Sequence, residues 1–540
     1  MSTATDIVFA YHERTKHHFY RYAAGPGQLD WASQPDPFRS FQGSPRLNLP
    51  LLDDKGPFAA RLVDLYHRQQ IASASITLTN IAAVLELAFG LSAWKQFGSN
   101  RWALRCNPSS GNLHPTEAYV VVQRCEGIAD GVYHYLSRDH VLEQRCTLKS
   151  SSNLLPPATF LIGLSSIHWR EAWKYGERAF RYCQHDTGHA IAAASYAAAV
   201  LGWSVRANLD WSDDEIAAVL GLDRKADFTA AERETPEVML LVGASAAVGT
   251  FSAAPLLEAA GDWTGEANVL SSYHAHDWTV IEEVARACLK PPTEAVEKGS
   301  IDIPHPIGSQ CTSAAQAIIK QRRSAQEFDG VTTIGADAFF RMLDMTLPRS
   351  NVPPWDAFTF NPRIHLALFI HRVNGLVPGI YVFLRHGDGE EAMRAAMSPD
   401  FQWQGVAGCP DHLRLYRVLA ADTRDVAKAL SCHQDIAADG AFSLGMLAEY
   451  KNHIEHTSWV YRHLYWEAGM LGHVLYLEAE AAGVQGTGIG CFFDDAVHEV
   501  LGIQDHTLQS IYHFTVGGAR VDSRLQSVPG YAHLTRTRSA

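Results

Sequence analysis

Two stretches of this chain carry the same glycine-marked pattern 281 residues apart, and that repeat limits the possible folds more than any other feature. "DTGHAIAAASYAAAVLGW" begins at Asp186 and "EAGMLGHVLYLEAEAAGV" at Glu467, so that Gly188 falls in step with Gly469 and Gly202 with Gly483. The register continues where "DDEIAAVLGLD" supplies Gly221 and "DDAVHEVLGIQ" supplies Gly502. A β-like run ending in glycine follows each, "VMLLVGAS" and "YHFTVGGAR". Upstream, "EGIADGVYHYLSR" matches "NGLVPGIYVFLRH", with Tyr133 and Tyr381 aligned. Matched segments in one order predict two homologous α+β domains, residues 1–260 and 261–540, divided within the Gly/Ser/Ala-rich stretch from Ala247 to Ser272.

The segments "AIAAASYAAAVLG" and "VLYLEAEAAG" are apolar nearly all round, as a buried helix is. Their small side chains permit close helix approach, so the halves are predicted to pack together like a homodimer fused into one chain. Fusion makes a monomer, or a weak homo-oligomer, the expected state.

Bulk properties narrow the partners. A net charge of -13 excludes a general nucleic-acid binder, which needs a basic face. Nine cysteines without a CxxC pair speak against a zinc ribbon or a disulfide framework, and reduced thiols fit a cytoplasmic protein. The first residues hold no apolar core of signal-peptide length, and no segment is apolar for the ~20 residues a membrane span needs. The expectation is a cytoplasmic protein with no membrane partner.

The repeat is imperfect in a complementary way. "RCNPSSGNLHPTEAYVVV", Arg105 to Val122, runs a hydroxyl-rich knuckle into an alternating strand, whereas the second half has "DAFTF", Asp356 to Phe360, at the same place. Conversely, "RRS", Arg322 to Ser324, stands against "YHR", Tyr66 to Arg68, and "GTGIGC", Gly486 to Cys491, against "WSVRAN". Taken singly, the knuckle reads as a capped loop and the arginines as a solvated helix end.

The segments "RCNPSSGNLHPTEAYVV", "WKYGERAFRYCQHDTGHA", "RRSAQEFDG" and "GTGIGCFFDDAVHEVLG" resemble the nitroreductase superfamily of flavoproteins, in particular the branch of the azoline dehydrogenases (SagB/ThcOx-type). The resemblance implies two tandem α+β sandwich domains packed as an intrachain pseudo-dimer, with FMN bound between them. It implies that Arg322, Arg323 and Ser324 grip the phosphate, with Arg520 and Arg524 as the C-terminal basic ligands; the family's usual later arginine is here Gln326. It implies that Pro108, Ser109, Ser110 and Asn112 reach the flavin across the interface. Glycines in Gly486, Thr487, Gly488, Ile489 and Gly490 would let backbone N–H groups approach it. The complementary losses then predict one intact site, one vestigial site and one FMN per chain.

Lys174 and Tyr175 match the Lys-Tyr pair of that branch, where either could act as general base while hydride leaves for the flavin. Their counterparts are Glu455 and His456. The implied function is an FMN-dependent oxidoreductase moving hydride between flavin and a small-molecule or peptide-derived substrate, including azoline-type dehydrogenation. The alternatives are an NAD(P)H-dependent reductase of nitro or quinone-like acceptors, and a degenerate flavin-binding scaffold of a biosynthetic complex.

Other residues read as structural. Arg181 and Arg462 occupy equivalent positions, which predicts pairing rather than catalysis. His365 and His371 lie roughly 20 Å apart along an extended run, too far for one metal. His185 and His189 are spaced for a metal but lack the HExxH carboxylate, so a core or cap role is expected, and no metal is predicted. Cys491 reads as a structural thiol.

Overall fold

The computed structural model describes residues 3–53, 58–67, 70–244, 251–294, 303–387 and 389–534. Each half builds an antiparallel sheet with one strand order. In the first the path runs Ala260–Trp263, Val141–Leu148, Gly131–Leu136, Thr116–Val122, Thr159–Ser166, Thr235–Gly243, Ser204–Asn208. In the second it runs Gln404–Gly405, Arg414–Ala420, Gly379–Leu384, Ile364–Ile370, Phe442–Glu449, Leu508–Gly517, Gln485–Ile489. From Val141–Leu148 and Arg414–Ala420 onward the two paths match strand for strand, as the internal repeat predicts.

Every residue of the central strands "TEAYVVV" and "IHLALFI" is buried. Alternation shows instead in which core each side chain enters, because successive side chains point to opposite faces. Val120, Ile162 and Leu240 join the main core, while Tyr119, Leu161 and Met239 pack under the short helix Asp213–Leu220. In the second half Leu366 and Leu368 face the same main core, while Ala367 and Phe369 pack under the helix Asp494–Leu501. The main core is therefore shared by both halves.

At its centre lie two helices of 22 residues, Ala179–Val200 and Val460–Ala481. They cross at the paired glycines. A Cβ on Gly188 would stand 2.2 Å from the Trp466 carbonyl, and one on Gly469 would stand 2.1 Å from the His185 carbonyl. The pairs Gly188/Gly469 and His185/Trp466 are each 281 positions apart, so the crossing point lies on a pseudo-two-fold axis.

The halves are also tied together at their ends. Near the start, Lys16 Nζ reaches Asp495 at 2.8 Å and the His17 N–H reaches Asp494 at 2.9 Å. Near the other end, Gln526–Pro529 pairs antiparallel with Leu91–Phe97 of the first half. Ala260–Trp263 pairs with Val141–Leu148, and Glu266–Ala267 with Phe41–Gln42. A division at residue 260 would cut these pairings, so the boundary we propose falls after Ala267; Ala247 lies outside the described residues. Among the described residues no helix is long and apolar enough to cross a membrane.

Candidate active site

A cavity of about 500 Å³ opens where the halves meet. One wall is the knuckle after the strand Asn100–Arg105, where Ser110–Asn112 forms a single 3-10 turn with Gly111 at φ 56° and Asn112 at φ 60°. The opposite wall is the glycine-rich strand Gln485–Ile489, with Arg322–Gln326 beside it after the helix Ala315–Gln321. An isolated parallel bridge between Ser324 and Gly486 and the bond from Ala325 N–H to the Gly486 carbonyl (3.1 Å) join those two segments.

Most residues named from the sequence meet here: Pro108, Ser109, Ser110 and Asn112 on one side, and Arg322, Arg323 and Ser324 on the other. Thr487, Gly488, Ile489, Gly490, Arg520 and Tyr175 complete that set. Three stand apart. Gly486 lies behind the wall, bonded to Ala325. Arg524 is turned outward, paired with Asp522 at 2.8 Å and set 5.7 Å over the Phe97 ring. Lys174 does not line the cavity; its Nζ lies 5.3 Å from the centre of the Tyr175 ring.

The knuckle's donors are partly spent inside the protein. Ser110 gives both its N–H (3.0 Å) and its hydroxyl (2.9 Å) to Asp186 on the first long helix. Asn112 Nδ2 donates to the Ala103 carbonyl at 2.8 Å, and Ser109 Oγ accepts from the His114 N–H at 2.8 Å. What these side chains offer the cavity is thus chiefly acceptor capacity. The glycines opposite are likewise required by packing first. A Cβ on Gly488 would fall 1.9 Å from Tyr512 Oη, and one on Gly490 would fall 2.3 Å from the Tyr182 ring. Gly488 N–H donates to Tyr476 Oη at 2.8 Å, which also meets Ser324 Oγ at 2.8 Å.

Charge is the most telling feature. Arg322 is 4% exposed, and among the described residues its guanidinium donates only to the carbonyls of Cys106 (3.3 Å) and Arg105 (3.2 Å). Arg323 likewise spends its guanidinium on the carbonyls of Lys320, Arg322 and Ser92. Among the described residues neither guanidinium forms an ion pair. Burial lowers the Arg322 guanidinium, and burial together with Arg322 brings Arg323 down to about 10. Two adjacent desolvated cations facing one cavity call for an anion. Among the described residues, four buried polar atoms of the lining also lack partners: Arg105 Nε, Asn107 Oδ1, His114 Nδ1 and His189 Nδ1. This donor set fits a phosphate-bearing, hydrogen-bonding ligand such as FMN.

On the far side of the knuckle lie two buried acids. Burial pushes Asp186 up to about 7, against the hydrogen bonds from Ser110 that favour its ionised form. Both oxygens of Glu171 are buried without partners, and burial, then Asp186, pushes its carboxyl well up. Tyr175, at the end of the helix His168–Tyr175, is pushed well above its ordinary value by burial and then by Glu171. Its hydroxyl abuts Gly111, where a Cβ would fall 2.5 Å away.

Several lining residues were not singled out from sequence: His114, Tyr182, Tyr476 and Tyr512. All four lie within stretches quoted above, Tyr476 in "VLYLEAEAAG" and Tyr512 in "YHFTVGGAR", but nothing in those patterns marks them as facing a site. His189, expected in the core, is buried and also faces the cavity, with Nε2 3.2 Å from Tyr512 Oη. Cys491 is half-buried and lines the cavity. His365 meets His386 and Glu449 instead, their ligand-type atoms within 4.8 Å of one another. That carboxylate already faces Arg363 (3.1 Å) and His453 (3.0 Å), and the Arg385 N–H donates to His365 Nδ1 at 3.3 Å.

The model of the nitroreductase family matches residues 68–243 and again residues 391–518. The chain belongs to the nitroreductase family. The two matched regions fall one in each half, and the family makes it an oxidoreductase. A candidate nitroreductase of Methanocaldococcus jannaschii is 26% identical over 163 residues, 28% of this chain and 78% of that protein. The trifolitoxin-processing protein TfxB of Rhizobium leguminosarum bv. trifolii is 35% identical over 130 residues, 22% of this chain and 35% of TfxB. A solved structure from Anabaena variabilis, described as a candidate nitroreductase, superposes with a TM-score of 0.69 at 22% identity. It covers 95% of this chain and 99% of its own, so the tandem nitroreductase fold is shared over the whole length.

Proposed function

We propose that the chain is an FMN-dependent oxidoreductase with a single active site between its halves. The observation that carries this is the adjacent Arg322 and Arg323, one buried and one half-buried, whose guanidiniums form no ion pair among the described residues although Glu480 accepts the Arg323 N–H at 3.2 Å, on a cavity whose other wall comes from the opposite half. Arg322, Arg323 and Ser324 would hold the phosphate, with Arg520 at the rim. The knuckle and the strand Gln485–Ile489 would flank the ribityl chain and ring. Bound there, FMN supplies a two-electron carrier able to take or give hydride.

The pseudo-symmetric position supports one site rather than two. The counterpart of the knuckle is filled by Trp355, Ala357 and Phe358, each buried, and the Ala357 carbonyl takes the Ala207 N–H at 2.8 Å. Tyr66, which stands where Arg322 does, is buried and donates to Glu478 at 2.7 Å. Arg68 lies outside the described residues.

Tyr175 enters this reading as a proton donor, because its surroundings keep the phenol protonated. Lys174 would act through it rather than on the substrate. Similarity to a trifolitoxin-processing protein favours, within this reading, a peptide-derived substrate, and the Lys174–Tyr175 resemblance favours azoline-type dehydrogenation as the reaction. Reduction of nitro or quinone-like acceptors by NAD(P)H is the competing reading.

The test is the FMN-to-protein ratio of the purified chain, measured by absorbance after heat release, beside Arg322→Ala and Ser109→Ala. A ratio near one that drops in both variants is expected. A ratio near two would remove the single-site reading, and a ratio near zero with FMN supplied would leave a scaffold.

A further inference from the structure

The cavity wall continues from Ile489 through Gly490 and Cys491 into Phe492 and Phe493. Here a second segment runs alongside: the Phe493 N–H donates to the Leu430 carbonyl at 2.9 Å, and Gln434 Nε2 donates to the Cys491 carbonyl at 3.1 Å. The turn from Leu430 to Gln434 thus lies against Cys491–Phe493, with Cys432 between the two points of contact and Cys491 at one of them. The two thiols lie close enough for each to shift the ionisation of the other. Both cysteines are half-buried, so reagents can reach them. Cys432 and His433 take φ values of 52° and 59°, consecutive left-handed residues without glycine that turn this segment back toward Cys491.

The surroundings set the two sulfurs apart. His17 Nδ1 accepts the Ala23 N–H at 2.9 Å, which leaves the ring proton on Nε2. The His17 ring lies beside the Cys491 thiol and favours its ionised form, and its backbone N–H is anchored on Asp494 at 2.9 Å. The Arg178 guanidinium lies close by, 3.3 Å from the Gly490 carbonyl. The neighbouring Cys432, and after it His17, lower the Cys491 thiol against the effect of burial, while Cys432 is raised. Burial raises Cys106, Cys125, Cys146, Cys183, Cys288 and Cys409.

We propose that Cys491 and Cys432 form a peroxide-responsive dithiol–disulfide pair in the wall of the cavity. Cys491, as thiolate, attacks one oxygen of hydrogen peroxide. The O–O bond breaks, the departing hydroxide takes up a proton as water, and Cys491 is left as a sulfenic acid. Cys432 then attacks that sulfur; the S–S bond forms and the second oxygen leaves with a proton from Cys432 and one from the sulfenic acid, as water. The pair gives up two electrons and two hydrogens, and the peroxide takes both. Because Cys491 and Gln434 both line the cavity, the bridge ties the glycine-strand exit to the 431–434 turn and fixes that wall.

The readout is a sulfur–sulfur bond, so it stands or falls separately from the flavin reading. The full chain, freshly reduced, is treated with one equivalent of hydrogen peroxide and mapped by mass spectrometry without reduction. The expected product is a single Cys432–Cys491 cross-link, reversed by dithiothreitol. In Cys432→Ser the reaction should stop at a sulfenic acid trapped by dimedone on Cys491, and Cys491→Ser should give no cross-link. In His17→Phe, alkylation of Cys491 by iodoacetamide at neutral pH should slow about tenfold. Dimedone on Cys432 in place of Cys491, or oxidation spread over Cys311 and Cys409 without the cross-link, overturns the proposal.

Discussion

Arg181 of the first half donates to Asp494 of the second at 2.7 Å, and the same bond recurs with the halves exchanged, from Arg462 to Asp213 at 2.8 Å. Both arginines and both aspartates are buried, and each aspartate opens an acidic helix whose N-terminus favours negative charge. The pairing expected of these arginines therefore runs between the halves, on the pseudo-two-fold axis that also relates Gly188 to Gly469.

The two ion pairs are not equal. Asp494 also holds Arg178 at 3.0 Å, whereas Arg462 keeps Glu237 at 3.5 Å when Asp213 is lost. Removing one partner of a buried pair costs roughly 3–5 kcal/mol. Asp494→Ala should sit at or above that range, since it strands two guanidiniums, and Asp213→Ala below it. Urea denaturation of both variants measures the difference; equal losses would contradict the asymmetry.

Gly188→Ala and Gly469→Ala should each destabilise, although alanine is favoured over glycine in a helix interior by about 1 kcal/mol. The new methyl meets a backbone carbonyl that cannot swing away. Overpacking of this kind costs about 1–3 kcal/mol, and the two variants should behave alike. Thermal unfolding checks this, and a stabilised variant would place the helix crossing elsewhere.

Asp186 should leave a signature in pH. Its folded value, raised to about 7 chiefly by burial, exceeds that of an unfolded aspartate. The stability it contributes is fully present below the unfolded value of ~4 and is lost as pH rises toward about 7. Asp186→Asn stays neutral throughout, so its unfolding temperature should gain on wild type as pH rises across that window and level off above it. A constant difference would mean that Asp186 is ionised in the fold.

Tyr175 lines the cavity and Lys174 does not. Under the proposed function, Tyr175→Phe should lower turnover by roughly 10²-fold or more with FMN content unchanged. Lys174→Ala should cost less. Steady-state rates with matched flavin occupancy decide, and the reverse order would return the proton-transfer role to the lysine.

The division of labour between sequence and tertiary structure follows the range of the interactions. Repeated glycines, apolar helices and matched strand runs are local patterns, so the duplication, the α+β class and the family could be read residue by residue. The knuckle, the Arg322–Arg323 pair and the glycine strand were legible for the same reason. Lys174 and Arg524 could not be separated from Tyr175 and Arg520 by pattern, because neighbours on a helix or turn point in different directions that only packing resolves. Tyr476, Tyr512 and His189 come to the cavity from helices and a strand far apart in the chain. The approach of Cys432 to Cys491 is of the same kind. Such meetings depend on how the two halves close on each other. Local pattern was enough to show two related halves with unlike motifs; the crossing of two long helices at paired glycines decided which of those residues meet, because close approach there sets the position of everything the halves share.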